Sequence, residues 1–296
     1  MSNQKYEAFL KVAETGSFKE AARELDYTQA GVSYLVNALE KELGVPLLVR
    51  EYGGARPTAE GADLLTYARD VVNAERRLAA RLADLQHLEG GSVRVAAFTS
   101  TAIQWLPGMA KEFLRRHPAV DLDIACIDDQ AKLEEAVRRG DFDCGFAVLP
   151  VKRGLEAVPL ASDPMLIAVS PDHPLAAAKH FPAAALAAEP YIRLESGEDT
   201  EMDAVFRANA VEPHVRFSIT SDYAAMSLVS AGLGFGVLPS LIVKDAPFPL
   251  VTMPPEVPVN REIALVLRSE ATASAAARAF VEVAQEWVRK VAPRTR

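Results

Sequence analysis

The sequence predicts an α/β protein in three consecutive parts: a small, mainly helical N-terminal module, one long helix, and two lobes of doubly wound α/β structure. Three observations predict this organisation. Apolar residues recur at helical spacing in the first 45 residues, between capping residues and glycines. Residues 62–89 contain neither Gly nor Pro, and strands then alternate with helices from residue 92 onward. The 296 residues are also too many for one ordinary core and suit two domains or more.

Helix signals divide the start of the chain into three helices. Ser17, with Glu20 three residues later, is a capping-box pattern that opens the second helix. Thr28 caps a third helix, which ends at Gly44. Two helices joined by the short turn at residues 26–27 are typical of a helix–turn–helix.

A hairpin is predicted directly after these helices. Residues 46–50 form a strand, Gly53-Gly54 a tight turn and residues 56–58 the returning segment, with an arginine on each side of the tip. Residues 1–58 are therefore predicted to be a winged helix–turn–helix, which binds DNA.

The N-terminal end of the third helix would enter the major groove. There Gln29 can bond both N6 and N7 of adenine, and Ala30 can contact a thymine methyl group. The structural alternative is a solvated helix face. We assign base contacts to Thr28, Gln29, Ala30, Ser33, Tyr34 and Asn37, and phosphate contacts to Lys19, Arg23, Arg50 and Arg56.

Residues 59–89 are predicted to form a linker helix, about 45 Å long at 1.5 Å per residue. Its apolar residues alternate in steps of four and three, with one interruption at Glu75. The seam consists of Leu64, Ala68, Val71, Glu75, Leu78, Leu82 and Leu85. We expect it to pair with the same helix of a second subunit, in a homodimer or homotetramer; packing on its own domain is the alternative.

Residues 90–296 show the β-α-β-α-β order of a doubly wound parallel sheet. We divide them into lobe I, about residues 92–162 and 264–296, and lobe II, about residues 163–263. Ligands of such sheets bind beyond the carboxyl ends of the strands and between lobes. The residues expected there are Thr99, Ser100, Thr101, Asp128, Gln130, Val148, Ser196 and Thr220. The carboxylates of Asp128 and Asp129 would repel a polyanion, which favours a small aromatic or phenolic ligand with at most one acid group.

The segment from Ser17 to Leu65 resembles the LysR-type transcriptional regulators. The family's landmarks appear in order as Gly16-Ser17-Phe18, Ala21-Ala22, Leu25, Gln29, Val32-Ser33, Leu39-Glu40, Leu43-Gly44, Leu47, Arg50, Thr58 and Gly61. The resemblance implies an effector domain like the type 2 periplasmic binding proteins. It also implies operator contacts at Gln29, Ala30, Ser33 and Tyr34, and an effector cavity lined by Ser100 and Gln130. Two positions depart from the family pattern, which usually has proline or serine at residue 30 and very often arginine at residue 34.

Composition excludes several other classes. The two cysteines, Cys126 and Cys144, rule out a disulfide framework, and we expect both to be buried on strands that flank a third one. We expect no metal, cofactor or catalytic residues, because the five histidines are scattered and no nucleophile elbow occurs. No apolar run approaches the ~18 residues of a membrane helix, and no secretory segment opens the chain, so we expect a cytoplasmic protein. The net charge of −8, and of −2 within residues 1–60, means that the DNA-binding prediction depends on pattern rather than on charge.

The sequence thus predicts a sequence-specific DNA-binding transcriptional regulator, controlled by a small effector bound between the two lobes. RNA polymerase is a further candidate partner, and neither an enzymatic activity nor a membrane partner is expected. Two alternatives remain open: a regulator that acts through a protein partner without a ligand, and a solute-binding or sensory protein of the same two-lobed fold.

Overall fold

The computed structural model describes residues 3–51, 54–85, 90–195 and 201–291. The chain divides between residues 88 and 89 into two compact units. The first unit contains helices α1 (Asn3–Thr15), α2 (Phe18–Glu24) and α3 (Gln29–Leu43), strands β1 (Leu48–Glu51) and β2 (Gly54–Pro57), and helix α4 (Ala59–Leu85). Strands β1 and β2 pair antiparallel as the predicted wing.

The residues expected to cap α2 and α3 do so. Ser17 Oγ accepts the Glu20 N–H at 3.3 Å, and Thr28 Oγ1 accepts the Gly31 N–H at 3.0 Å. The Glu20 carboxylate does not complete the capping box, because it forms an ion pair with Arg23 instead. At the far end of α3, Gly44 has the left-handed φ of 74° that suits a glycine C-cap.

Helix α4 packs partly on its own unit. Ala68 and Val72 are buried with Phe9, Leu39 and Leu47. Gly61 is required at the start of the helix, because a Cβ atom there would lie 2.0 Å from the carbonyl oxygen of Leu47. The alternative of packing on its own domain is therefore correct for the first turns of α4.

The later turns of α4 leave apolar side chains exposed. Val71 is 44 % exposed, Leu78 61 % and Leu82 49 %. The helix ends at Leu85, and residues 86–89, where it was expected to continue, lie outside the described residues. This apolar face is the part of the expected seam that has no partner within the described residues.

The second unit holds one mixed sheet with helices on its faces. Its strands are β3 (Gly91–Ala97), β4 (Val120–Cys126), β5 (Cys144–Val148), β6 (Glu156–Val169), β7 (Pro190–Leu194), β8 (His214–Ile219), β9 (Phe235–Pro239), β10 (Val251–Met253) and β11 (Asn260–Leu267). Its helices are α5 (Thr99–Gln104), α6 (Leu106–Arg116), α7 (Gln130–Arg139), α8 (Ala183–Ala188), α9 (Glu201–Ala208), α10 (Asp222–Ser230), α11 (Ser240–Val243) and α12 (Ala275–Val291).

The strand order is β4-β3-β5-β11-β6-β9-β7-β8, with β10 beside β6. β3 is parallel to β4 and β5, and β7 is parallel to β8 and β9, which gives each lobe the expected parallel core. β11 and β6 run antiparallel to each other and join these cores. The expected boundary between the lobes near residues 162–163 falls within β6, which begins at Glu156 and crosses from lobe I into lobe II without a break.

Each lobe has its own core. In lobe I, Phe113, Phe146 and Phe280 are completely buried between the sheet and helices α6 and α12. In lobe II, Phe181, Tyr191 and Phe235 fill the corresponding space. Burial of each such side chain contributes roughly 1.5–3 kcal/mol, so each lobe is rigid enough to position residues at the strand ends. None of the helices in the described ranges is both long and apolar enough to cross a membrane.

Candidate functional site

The N-terminal half of α3 presents a polar surface. Gln29, Ala30, Tyr34 and Asn37 are exposed, and the Tyr34 side chain is 73 % accessible. Thr28 is occupied as the helix cap, so its hydroxyl oxygen is already bound to the Gly31 N–H. The other four side chains project where the third helix of a helix–turn–helix meets base edges.

Arg50 connects the wing to this surface. Its Nη2 atom donates hydrogen bonds to Ser33 Oγ at 2.7 Å and to Asn37 Oδ1 at 3.4 Å, and its guanidinium carbon lies 4.4 Å from the Phe18 ring centroid. A fixed positive charge thus lies beside a helix that has no basic residue before Lys41. The sequence placed Arg50 on the wing but did not predict its contact with α3.

Acidic neighbours offset two of the four expected phosphate-binding residues. Arg23 forms an ion pair with Glu20 at 2.7 Å, and Arg56 forms one with Glu51 at 2.6 Å. Lys19 and Arg50 are exposed, and neither forms an ion pair with a carboxylate among the described residues. Arg50 and Lys19 are therefore the stronger candidates for phosphate contacts.

The second unit contains a cavity of about 510 Å³ that both lobes line. This volume lies within the usual range for a small-molecule site. Five residues expected at the strand ends line it: Ser100, Asp128, Gln130, Val148 and Thr220. Its apolar walls come mainly from Phe98, Ile127, Leu133, Phe146, Met202, Ile242 and Val259.

Two other expected residues, Thr99 and Thr101, do not line the described cavity. Thr101 is completely buried and donates its hydroxyl hydrogen to the Phe98 carbonyl, so its assignment to the ligand site is wrong. Thr99 is also outside the lining, because both its N–H and its hydroxyl bind Asp128. Ser196 lies outside the described residues.

The carboxylate of Asp128 binds the N-terminal end of α5. Its Oδ1 accepts the Thr99 N–H at 2.7 Å and its Oδ2 accepts the Thr99 hydroxyl at 2.9 Å. One free N–H at the start of α5 is therefore satisfied by the protein itself. An anionic ligand would meet the Asp128 carboxylate at this point.

Arg261 connects the two lobes from the strand β11. It is 4 % exposed; its Nε atom donates to Asp163 Oδ2 at 2.9 Å, and its Nη2 atom lies 2.8 Å from the same oxygen in an ion pair. Nη2 also donates to Ser100 Oγ of lobe I at 2.7 Å, and Nη1 donates to Glu201 of lobe II at 3.0 Å. Asp163 is 2 % exposed and also accepts hydrogen bonds from the Ser240 hydroxyl and the Leu241 N–H. Each of these acceptor oxygens therefore receives a hydrogen bond from a group that is buried or half-buried.

Gln130 is held by hydrogen bonds within lobe I. Its amide oxygen accepts the Val148 N–H at 3.0 Å, and its amide nitrogen donates to the Val148 carbonyl at 2.7 Å and to Glu134 at 2.8 Å. Both amide hydrogens have acceptors, so this side chain shapes the cavity wall and has no donor left for a ligand.

Asp222 is the carboxylate of the cavity with a raised pKa. Burial, followed by repulsion from Asp128, raises its pKa to about 6, while Arg261 opposes the shift and Glu201 adds to it. Asp222 begins α10 in lobe II, and Asp128 follows β4 in lobe I. Negative charges from the two lobes thus lie close enough to repel each other across the cleft.

Sequence reasoning missed Arg261, Asp163, Glu201 and Glu134. Strand alternation could have found the first two, because Arg261 shares the buried face of β11 with Ile263 and Leu265, and Asp163 shares that of β6 with Met165. A charged residue on the buried, apolar face of a strand indicates that its charge is paired inside the protein. Glu201 and Glu134 carry no such signal, because both lie on helices, Glu201 in the first turn of α9 and Glu134 in the second turn of α7.

The cysteines correspond only partly to expectation. β4 and β5 flank β3, as expected, but only Cys144 is buried, whereas Cys126 is exposed on the edge strand. Across the part of the chain that the structure describes, no group of three or more His, Cys, Asp or Glu side chains could hold a metal ion.

Two family models match the chain. Residues 4–62 match the bacterial regulatory helix–turn–helix protein, lysR family, and residues 86–289 match the LysR substrate binding domain. A probable HTH-type transcriptional regulator, LrrA, of Synechococcus elongatus is 32 % identical and spans 96 % of this chain and 95 % of its own. The uncharacterized HTH-type transcriptional regulator YvbU of Bacillus subtilis is 28 % identical, over 97 % of this chain and 98 % of its own.

Solved structures share the fold. The crystal structure of CbnR, a LysR family transcriptional regulator, has a TM-score of 0.72 at 24 % identity and covers 97 % of this chain and 99 % of its own. Full-length CbnR complexed with its target DNA has a TM-score of 0.70, with the same identity and coverage.

Proposed function

Because this chain belongs to the LysR family of DNA-binding transcriptional regulators, we propose that a small molecule in the cleft of its second unit controls how α3 occupies an operator. The family supplies the two activities, DNA binding by the first unit and effector binding by the second. One observation carries the assignment of the effector site: a 510 Å³ cavity lined by both lobes, at which Arg261 joins Ser100 of lobe I to Glu201 of lobe II.

At the operator, α3 reads bases through Gln29, Ala30, Tyr34 and Asn37. Ser33 acts differently, because its hydroxyl oxygen already accepts a hydrogen bond from Arg50, which orients the hydroxyl group; its hydrogen and one lone pair stay available to a base. Arg50 and Lys19 contact phosphates, and Arg23 and Arg56 do so only after their ion pairs with acidic neighbours open.

The exposed apolar face of α4 supports a homodimer, or a homotetramer built from dimers, as the functional unit. Val71, Leu78 and Leu82 would be covered by the same helix of a second copy. A dimer also supplies two α3 helices for two half-sites about one helical turn of DNA apart.

The effector acts by shifting populations. A molecule bound to both lobes favours one lobe arrangement, which changes how the subunits pack and how the two helix–turn–helix units engage and bend DNA. RNA polymerase is the partner through which an activating form would work, with the protein acting on DNA in the cytoplasm. The relatives are transcriptional regulators, and we assign no catalytic activity to this chain.

The cavity favours a small ligand with an aromatic or otherwise apolar body and at most one acid group. Phe98, Ile127 and Phe146 offer apolar contact, and five acidic against three basic side chains line the space. The positive charge of Arg261 is already matched by Asp163 and Glu201, so a polyanion would find no free counter-charge there.

DNase footprinting of the DNA upstream of the gene tests the proposal, with and without compounds from a thermal-shift screen. We expect two protected half-sites on one face of the duplex, and a changed spacing or bend when a stabilising compound is present. A ligand at 100 times its Kd raises the unfolding free energy by about 2.7 kcal/mol, which the screen detects readily. Absence of binding to this DNA at low salt would contradict the assignment of α3. A di- or tricarboxylate as the tightest ligand would contradict the assignment of the cleft.

A further inference from the structure

We propose that the effector of this protein is an organic cation, with a protonated amine held between Asp128 of lobe I and Asp222 of lobe II. This inference rests on the proposed function, because it names the ligand class of the same cleft. It is carried by the charges, burial and hydrogen bonds of the residues around the cavity.

The first observation is an excess of negative charge, because five acidic but only three basic side chains line the cavity. Asp128, Glu201 and Asp222 line the cavity with the basic Lys152 and Arg207, and the carboxylates of Asp128 and Glu201 repel that of Asp222. Arg261 acts on Asp222, but its charge is shared with Asp163, through one hydrogen bond and a second 2.8 Å contact, and with Glu201. A bound ammonium group would replace this repulsion with attraction.

The second observation concerns the position of the two carboxylates. Asp128 belongs to the loop that follows β4, and Asp222 is the first residue of α10. They therefore stand on opposite lobes, and their mutual repulsion opposes closure of the cleft. A cation between them favours closure, which couples ligand charge to the arrangement of the lobes.

The third observation is independent of the acidic residues and points to a ligand. Ser100 lines the cavity, is 4 % exposed, and uses its Oγ atom to accept the hydrogen bond from Arg261. Its own hydroxyl hydrogen has no acceptor in the described part of the chain. A buried donor without a partner is costly, so an acceptor on the ligand is expected there.

The site favours an organic cation over a metal ion. Among the described residues no group of three or more His, Cys, Asp or Glu side chains is placed to hold a metal ion. The apolar side chains that line the cavity, such as Phe98 and Phe146, can contact the hydrocarbon part of a ligand. The hydroxyl hydrogen of Ser100 can bind a hydroxyl or carbonyl oxygen of the same ligand. The ligand class is thus a small amine with an apolar body and one hydrogen-bond acceptor.

Three probes that share a phenyl ring and differ in charge test the proposal. Isothermal titration calorimetry on the full chain at pH 7.5 would compare an amine, an alcohol and a carboxylate that all carry the same hydroxyl acceptor: 2-amino-1-phenylethanol, 1-phenyl-1,2-ethanediol and mandelate. We expect the amine to bind at least ten-fold more tightly than the alcohol, and the carboxylate to bind more weakly still.

Two further measurements separate a charge effect from a structural one. In Asp222→Asn the preference for the amine should disappear, whereas Asp121→Asn, which removes an exposed carboxylate of β4 outside the cavity, should keep it. The amine should also bind about ten-fold more weakly at pH 5 than at pH 7.5. About a tenth of Asp222 is ionised one unit below its pKa of about 6, while the remaining charges facing it come from Asp128, Glu201 and Arg261.

Several outcomes would overturn the inference: equal or tighter binding of the alcohol or the carboxylate, an amine preference that survives in Asp222→Asn, or no binding of the amine. If only the alcohol or the carboxylate binds, the cleft is still an effector site. The proposed function would then stand, and the inference that the effector is a cation would be rejected. If no probe binds, the cation is rejected, and the footprinting experiment judges the proposed function separately.

Discussion

The Nη2 atom of Arg261 lies 2.7 Å from the Ser100 Oγ atom, although 161 positions separate the two residues in the sequence. This hydrogen bond joins a strand that crosses between the lobes to the first helix of lobe I. The same guanidinium group reaches Glu201 in lobe II and the buried Asp163. One side chain therefore contacts both walls of the cleft, and a ligand that engages Ser100 must act on this contact.

Replacement of Arg261 should destabilise the second unit strongly. In Arg261→Met the buried Asp163 loses its counter-charge, and we expect the free energy of unfolding to fall by about 3–5 kcal/mol. Urea denaturation followed by circular dichroism would measure it. The double variant Arg261→Met with Asp163→Leu removes both charges and should recover much of the loss. If the double variant is no more stable than the single one, the ion pair is not the source of the effect.

Arg50 should matter more for DNA binding than Arg56. Arg50→Ala removes a charge fixed against Ser33 and Asn37 in each of two copies, so we expect weaker operator binding and a reduction of about 2 in the magnitude of the slope of log K against log salt. Arg56→Ala is the matched control on the other strand of the wing, and its ion pair with Glu51 should make its effect smaller. Fluorescence anisotropy with a labelled operator at several salt concentrations would compare the two. A larger loss in Arg56→Ala would contradict this assignment.

The overall salt dependence of DNA binding should be shallow. If Lys19 and Arg50 make the phosphate contacts in each of two copies, the slope of log K against log salt is about −4. An affinity series between 50 and 300 mM potassium chloride at fixed pH would give the slope. A value near −9, which corresponds to about ten phosphate contacts, would show that Arg23, Arg56 or other basic residues also bind the backbone.

Neutralisation of Asp222 should stabilise the protein at neutral pH. Folding raises the pKa of this carboxyl from 3.8 to about 6, so its contribution is favourable at low pH and is lost as the pH rises through about 4 to 6. Asp222→Asn should therefore be more stable than the natural sequence by about 1–2 kcal/mol at pH 7, after a discount for partial exposure. Thermal unfolding at pH 4, 5, 6 and 7 would follow the difference, which should vanish near pH 4. A difference that is independent of pH would exclude Asp222 titration as its cause.

A charge on the exposed face of α4 should break the homodimer. Leu78→Asp places a carboxylate where we expect the second copy, so the variant should be monomeric in sedimentation velocity and bind a two-site operator weakly. Ala79→Asp adds the same charge at the neighbouring exposed position, about 100° around the helix, and should remain dimeric. If both variants are dimeric, the dimer interface lies on another surface than this face of α4.

Local signals in the sequence were sufficient for the helix–turn–helix and for much of the second unit. Ser17, Thr28 and Gly44 cap helices as expected, because capping depends on residues only three or four positions apart. The alternation of strands and helices identified the lobes for the same reason. It did not show that β6 runs unbroken from Glu156 to Val169, because the strand changes lobes in mid-course and its burial pattern changes with it.

Contacts between distant positions were not predictable in this way. The pairing of Thr99 with Asp128, and of Gln130 with Val148, removed candidate ligand donors that the sequence had left available. The exposed Cys126 follows from the position of β4 at the sheet edge, which strand spacing alone did not reveal.

By itself, the sequence determined the class of this protein: a winged helix–turn–helix, a linker helix and two α/β lobes follow from periodicity, caps and glycines, which act over a few residues. The tertiary structure alone decided which charges meet in the cleft. Arg261, Asp163, Ser100, Asp128 and Asp222 come from separate strands and helices, and only the packing of the lobes brings them together. Electrostatic energy depends on distance in space and on burial, and neither can be read from distance along the chain.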